Sequence, residues 1–276
     1  MLCALAQMSS SDDPADNLVA AREAVRLAAE ADADMIITPE VTNCVSSSRR
    51  RQMDVLQHEA DDSVLAGLRE AAAKDGIWVL IGSLALKTAD PDGRFANRSF
   101  LIAPDGAIVA HYDKIHMFDV ELSKNETYRE SAGYRPGDSV AVADTPFGRI
   151  GLTICYDLRF PYLYRTLARQ GAEILTVPAA FARPTGAAHW EILLRARAIE
   201  TGCFVLAPAQ TGTHRASAGK IRETWGHSLA VSPWGDVLLD MGDLPGVGLV
   251  KIDIAYAADA KARVPAVLQD VVIGNL

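Results

Sequence analysis

The 276-residue sequence predicts an α/β fold in which two sheets lie face to face, each backed by helices. Three observations carry that expectation. Strand-like and helix-like segments alternate through residue 84. Beyond it, three pairs of apolar runs flank compact turn signals, so antiparallel pairs mix with the α/β units. No Gly/Ser/Pro-rich linker or low-complexity tract interrupts the chain. A single domain over residues 1–276 is therefore expected, and 49% hydrophobic with 22% charged residues suits one sizeable core.

The elements follow in order. Leu2–Met8 is a short apolar run of the buried-strand kind. Asp12 or Asp13 caps a helix with Pro14 in its first turn, running to Ala31. Met35–Ile37 is the next strand and ends at Thr38-Pro39-Glu40. A helix over Asp61–Lys74 is closed by Gly76, and Ile77–Leu84 is again a strand. Asn97–Ala103 and Ala107–Tyr112 flank Pro104-Asp105-Gly106. Val140–Ala143 and Gly148–Ile154 flank Thr145-Pro146-Phe147. After Pro161 comes a helix through Arg169, then the strand Ile174–Val177, a helix over Gly186–Thr201 and the strand Cys203–Ala207. His227–Val231 and Asp236–Leu239 flank Pro233-Trp234-Gly235. A last strand, Val247–Asp253, precedes a weak helix near Ala255–Ala262.

A net charge of −8 argues against a nucleic-acid surface. The basic run Arg49-Arg50-Arg51 is short and is expected to be a solvated loop. Four cysteines show neither a CxxC pair nor metal-finger spacing. Cys3 and Cys203 sit in apolar runs and read as core. Few cysteines for the length favour a reducing compartment. The N-terminus lacks a basic segment followed by a long apolar stretch, so no signal peptide is expected. No apolar run is long enough to span a bilayer. These features predict a soluble, cytoplasmic protein with no nucleic-acid or membrane partner.

Chemistry concentrates at strand ends. Ile150, Leu152 and Ile154 alternate with Gly151 and Thr153, and Cys155 arrives where that run stops. Open α/β folds place reactive groups at the C-terminal ends of strands. Helix N–H groups and a nearby cation can lower a thiol pKa there. A lone cysteine is equally at home as a buried core residue, so partners decide. Glu40 follows a buried strand and a proline, as a general base in a cleft would, or as a loop or capping acid would. Lys114 ends the run at Tyr112-Asp113, where it can stabilise an oxyanion or simply face water.

Three segments resemble the signatures of the nitrilase superfamily, the carbon–nitrogen hydrolases. They are Pro39-Glu40, Tyr112-Asp113-Lys114-Ile115-His116, and Gly151-Leu152-Thr153-Ile154-Cys155-Tyr156-Asp157-Leu158-Arg159-Phe160-Pro161. The stretch His189-Trp190-Glu191-Ile192-Leu193-Leu194-Arg195-Ala196-Arg197 is similar to the helix that follows them, and Gly226-His227-Ser228 extends the likeness over nearly the whole chain. The resemblance implies a four-layer α-β-β-α sandwich and a hydrolase with no metal or organic cofactor. By the same resemblance Glu40 is the general base, Lys114 the oxyanion-stabilising cation and Cys155 the nucleophile. Glu130 matches a second glutamate that supports the lysine, in a stretch that also holds Glu121 and Glu126.

Asn97-Arg98-Ser99-Phe100 and His116-Met117-Phe118-Asp119-Val120 are similar to the mammalian-type Nit amidases. Ala209-Gln210-Thr211-Gly212 resembles the deaminated glutathione amidase branch more than the ω-amidase branch. The implied reaction is hydrolysis of a small carboxylate-bearing α-keto amide through a thioester. The alternatives are ω-amidase action on α-ketoglutaramate or hydrolysis of an N-carbamoyl amide. Arg159, Phe181 and Thr185 match substrate-contacting positions, with the Tyr156 N–H as an oxyanion donor. Arg195 is expected to pair with Glu191 on the surface and Arg197 to be a buried structural partner. A homodimer or higher homo-oligomer is implied.

Overall fold

The structure, a computed structural model, describes residues 1–123 and 126–269. It opens with β1 (Leu2–Gln7), α1 (Pro14–Glu30), β2 (Met35–Ile37), α2 (Arg49–Val55), α3 (Ser63–Asp75) and β3 (Trp78–Leu86). Two hairpins follow, β4 (Ala96–Ile102) with β5 (Ile108–Asp113), and β6 (Asp119–Ser123) with β7 (Glu126–Arg129). The middle of the chain holds β8 (Ala141–Thr145), β9 (Gly148–Leu152), α4 (Pro161–Arg169), β10 (Ile174–Thr176), α5 (Arg183–Thr201) and β11 (Phe204–Ala207). It closes with β12 (Thr211–Thr213), β13 (Glu223–Trp225), β14 (Leu229–Val231), β15 (Val237–Asp240), β16 (Gly246–Lys251) and α6 (Ala255–Arg263).

Two six-stranded sheets result, ordered β16-β1-β2-β3-β4-β5 and β15-β14-β11-β10-β9-β8. In each, parallel central strands are flanked by antiparallel ones. The alternation of side chains along β1 shows how the layers form. Ala4 and Ala6 pack with Ala21, Val25 and Leu68 of α1 and α3, whereas Cys3 and Leu5 join the core shared with the second sheet. On the far side, Leu163 and Leu167 of α4 and Trp190 and Leu194 of α5 are buried against that second sheet. This is the four-layer α-β-β-α sandwich.

Local chemistry sets the element ends. The Asp13 carboxylate accepts from the Ala15 N–H at the head of α1, where Pro14 occupies the first turn. Asp62 caps α3 in the same way, and Gly76 ends it at φ 66, a left-handed conformation natural to glycine. Helix α5 begins at Arg183, three residues before the expected Gly186, because Pro184 supplies a pre-set first turn. Arg49–Arg51 is not a solvated loop. Ser48 caps α2 by accepting from the Arg51 N–H, Arg49 lies 3.6 Å from the Phe95 ring centroid, and Arg51 donates to the Asp12 carbonyl. Arg197 is buried, donating to the Leu158 carbonyl and pairing with Glu200, while Arg195 pairs with Glu191 at the surface. Among the described residues no helix is long and apolar enough to cross a membrane.

Candidate active site

Glu40 and Lys114 follow β2 and β5 of the first sheet, and Cys155 follows β9 of the second. All three line one cavity of about 1310 Å³. The sheets approach closely here. A Cβ at Gly82 would lie 2.0 Å from the Thr38 carbonyl oxygen and 2.5 Å from the Pro178 Cβ, so only glycine fits. That contact brings Pro178, two residues past β10, against the stretch that carries Glu40.

Glu40 is buried and fully engaged. Its Oε1 accepts from Lys114 Nζ at 2.8 Å and from Asn97 Nδ2 at 3.0 Å, and its Oε2 accepts from the Ala180 N–H at 2.9 Å. The Lys114 ammonium also donates to both oxygens of Glu130 at 2.9 Å. Glu130 in turn accepts from the Phe118 N–H at 2.6 Å. Lys114 is thus clamped between two carboxylates.

Burial alone would raise the Glu40 pKa, but the Lys114 charge and hydrogen bonds from Lys114, Cys155 and Asn97 outweigh it and hold the carboxyl below its usual value. Burial also opposes the charge of Lys114, yet Glu130 and Glu40 push its pKa well above that of a free lysine. The thiol behaves differently from the lowered pKa expected at a strand end. Burial and the Glu40 charge raise Cys155 well above an ordinary cysteine, and Lys114 only partly offsets them. The resting site therefore pairs a protonated thiol with an ionised carboxylate.

The backbone aims the thiol. Cys155 sits at φ 49, a conformation that side-chain-bearing residues adopt rarely and at a cost of about 1–3 kcal/mol. Its N–H donates to the Pro178 carbonyl at 2.9 Å. Asp157 pins the turn from inside. It accepts from the Ile154 N–H, the Tyr112 hydroxyl, the His116 N–H and His116 Nδ1 at 2.9, 2.7, 3.0 and 2.6 Å. Tyr156 belongs to the first turn of the 3₁₀ helix Cys155–Arg159, where N–H groups lack intrahelical acceptors.

Tyr156, Phe181 and Thr185 join Glu130 in the cavity wall. Arg159 is not in that wall. Its guanidinium lies 5.4 Å from the Phe181 ring centroid and 6.0 Å from that of Tyr156, and it contacts His189 Nδ1 at 3.3 Å. Glu121 faces solvent and pairs with Arg129; the Glu126 side chain lies outside the described residues. Sequence reasoning assigned no part to Asn97, Asp157 or His116, although all three stand inside the quoted motifs. The available signal was an acid two residues after the cysteine, between Tyr156 and Leu158. Among the described residues no group of three or more His, Cys, Asp or Glu side chains is arranged to hold a metal ion.

The sequence model of the carbon–nitrogen hydrolase family matches residues 2–262, and the chain belongs to that family. It is a hydrolase of carbon–nitrogen bonds other than peptide bonds. The deaminated glutathione amidase of Yersinia enterocolitica is 39% identical over 274 residues, covering 99% of this chain and 94% of that protein. The crystal structure of the C. elegans NitFhit protein superposes with a TM-score of 0.89 at 35% identity, over 98% of this chain and 64% of that one. A mutant amidase from Nesterenkonia sp. AN1, with acrylamide added at its active-site cysteine, gives a TM-score of 0.78 at 26% identity, over 96% and 98% of the two chains.

Proposed function

We propose that this chain is a cysteine-dependent amidase acting on deaminated glutathione or a closely similar α-keto amide. The observation that carries the reading is the Glu40–Lys114–Glu130 cluster set beside the Cys155 thiol in one cavity. Glu40 takes the thiol proton as the sulfur attacks the amide carbonyl. Lys114 and the Tyr156 N–H hold the oxyanion, and Glu130 keeps Lys114 charged and oriented. Glu40 returns the proton to the departing amine, leaving a thioester on Cys155. Water, deprotonated by Glu40, attacks the thioester; the carboxylic acid leaves and the thiol regains a proton. Phe181 and Thr185 shape the substrate pocket, and Arg159 backs it through Phe181 and Tyr156.

The same reading has one domain, no metal or organic cofactor, and a homodimer in the cytoplasm. Support for the dimer is the exposed apolar set Ile192 and Ile199 of α5 with Trp234; sedimentation that gives only monomer would refute it. The low cysteine count supports the compartment.

The test is release of α-ketoglutarate from deaminated glutathione and from α-ketoglutaramate, with Cys155→Ala as control. Preference for deaminated glutathione is expected. Preference for α-ketoglutaramate would move the protein to the ω-amidase reading, and release from neither would overturn the substrate assignment.

A further inference from the structure

The chain carries a net charge of −8, yet its catalytic cavity is lined by Arg129, Arg183, Lys220 and Arg222. Arg129 pairs with Glu121. Among the described residues no carboxylate forms an ion pair with Arg183, Lys220 or Arg222; of the cavity's acids, Glu40 and Glu130 hold Lys114, and Glu223 accepts from the Thr213 hydroxyl. The segment bearing two of them is built in place. Ser47 Oγ donates to the Lys220 carbonyl at 2.7 Å, the His214 N–H donates to the Arg222 carbonyl at 2.9 Å, and the Ser217 N–H donates to Asp12 at 2.7 Å. An isolated bridge between Ala182 and Thr224 sets Arg183 beside the same strand.

One residue, Ala180, ties these cations to Glu40. The Ala180 N–H donates to Glu40 Oε2 at 2.9 Å, and the Ala180 carbonyl accepts from Arg222 Nη2 at 3.4 Å. Glu40 is the group that hands a proton to the leaving nitrogen, so Arg222 lies on the side from which the amine departs. In deaminated glutathione that amine half ends in a carboxylate, whereas α-ketoglutaramate releases ammonia and has no such group.

We propose that Arg222, aided by Lys220 and Arg183, forms an anion subsite for a carboxylate on the amine half of the amide. Arg222 is then a specificity-determining residue, and the preferred substrates carry an acid on both sides of the scissile bond. The inference rests on the amidase reading and on the role of Glu40 within it. A guanidinium suits the task because it binds carboxylate through paired hydrogen bonds and stays charged at every working pH.

The test compares deaminated glutathione with an analogue whose terminal glycine carboxylate is a carboxamide, in the wild-type chain and in Arg222→Gln. Loss of a charge-assisted contact predicts a fall of about 10- to 100-fold in kcat/KM for the carboxamide with wild type, mostly in KM. With Arg222→Gln the ratio between the two compounds should shrink to about 3-fold or less. No discrimination by wild type, or undiminished discrimination by the variant, overturns the subsite. Should wild type hydrolyse neither compound, the amidase assignment fails by itself. Calorimetric binding of both compounds to Cys155→Ala then decides the subsite: about tenfold tighter binding of the carboxylate supports it, and equal affinity refutes it.

Discussion

At the scale of single residues, the ammonium of Lys114 is held by two carboxylates while remaining in reach of the cavity. Replacing one oxyanion donor costs about 100- to 1000-fold in kcat. Lys114→Ala should therefore lose at least that much, because it also leaves Glu40 and Glu130 facing each other; steady-state rates within tenfold of wild type would remove Lys114 from the chemistry. The pH profile tests Glu40. Its pKa lies below the ordinary 4.5, and the proposed reaction needs it ionised. Initial kcat/KM should thus stay level from neutral pH down to 5 and fall only below 4.5, the direction expected of a depressed acid. A half-activity point between pH 6 and 7 would show instead a Glu40 raised by burial. The meeting of Glu40, Lys114 and Cys155 in one cavity was legible in the sequence, since each follows a strand within a quoted motif. The thiol pKa was not, because its sign depends on how deeply the turn is buried and on the Glu40 charge, which no spacing encodes.

At the scale of elements, the turn after β9 and the β12–β13 hairpin both contribute to the cavity wall. Asp157 satisfies four donors inside the first. Asp157→Ala strands those donors, each at a cost of about 1–3 kcal/mol, so a stability loss of roughly 3 kcal/mol or more is expected in urea unfolding. Turnover should drop too, although Cys155, Glu40 and Lys114 remain; an unchanged unfolding midpoint would contradict this. His214 anchors the hairpin, with Nδ1 donating to the Ser10 carbonyl and Nε2 accepting from the Thr224 hydroxyl at 2.7 Å each. Burial pushes its pKa down to about 4 from 6.5. A histidine depressed by folding binds its proton first in the unfolded chain, so its stabilising contribution is present above pH 6.5 and is lost as pH falls toward 4. The loss should be about 3 kcal/mol, and a His214→Asn chain should lack that slope. The strands and long helices were legible from periodicity, caps and turn residues. The short hairpins β6–β7 and β12–β13 and the helix α2 were not: their runs are too brief or too polar to show a period, and packing against the cavity defines them.

At the scale of the whole molecule, the layer order was legible from strand–helix alternation, but the register of one sheet over the other was not. It is set by contacts such as Gly82 against Pro178, where only the absence of a side chain permits the approach. That seam has a consequence for how the enzyme fails. Glu40 and Lys114 ride on one sheet and Cys155 on the other, so the groups proposed to react span the interface between the two sheets. A slide of an ångström between two otherwise intact slabs would part acid from thiol while every helix and ladder survived. Turnover is then a vernier for alignment of the two halves. In rising denaturant or pressure, activity should vanish ahead of the far-ultraviolet circular dichroism signal; coincident loss of both would mean that the slabs part only when they melt.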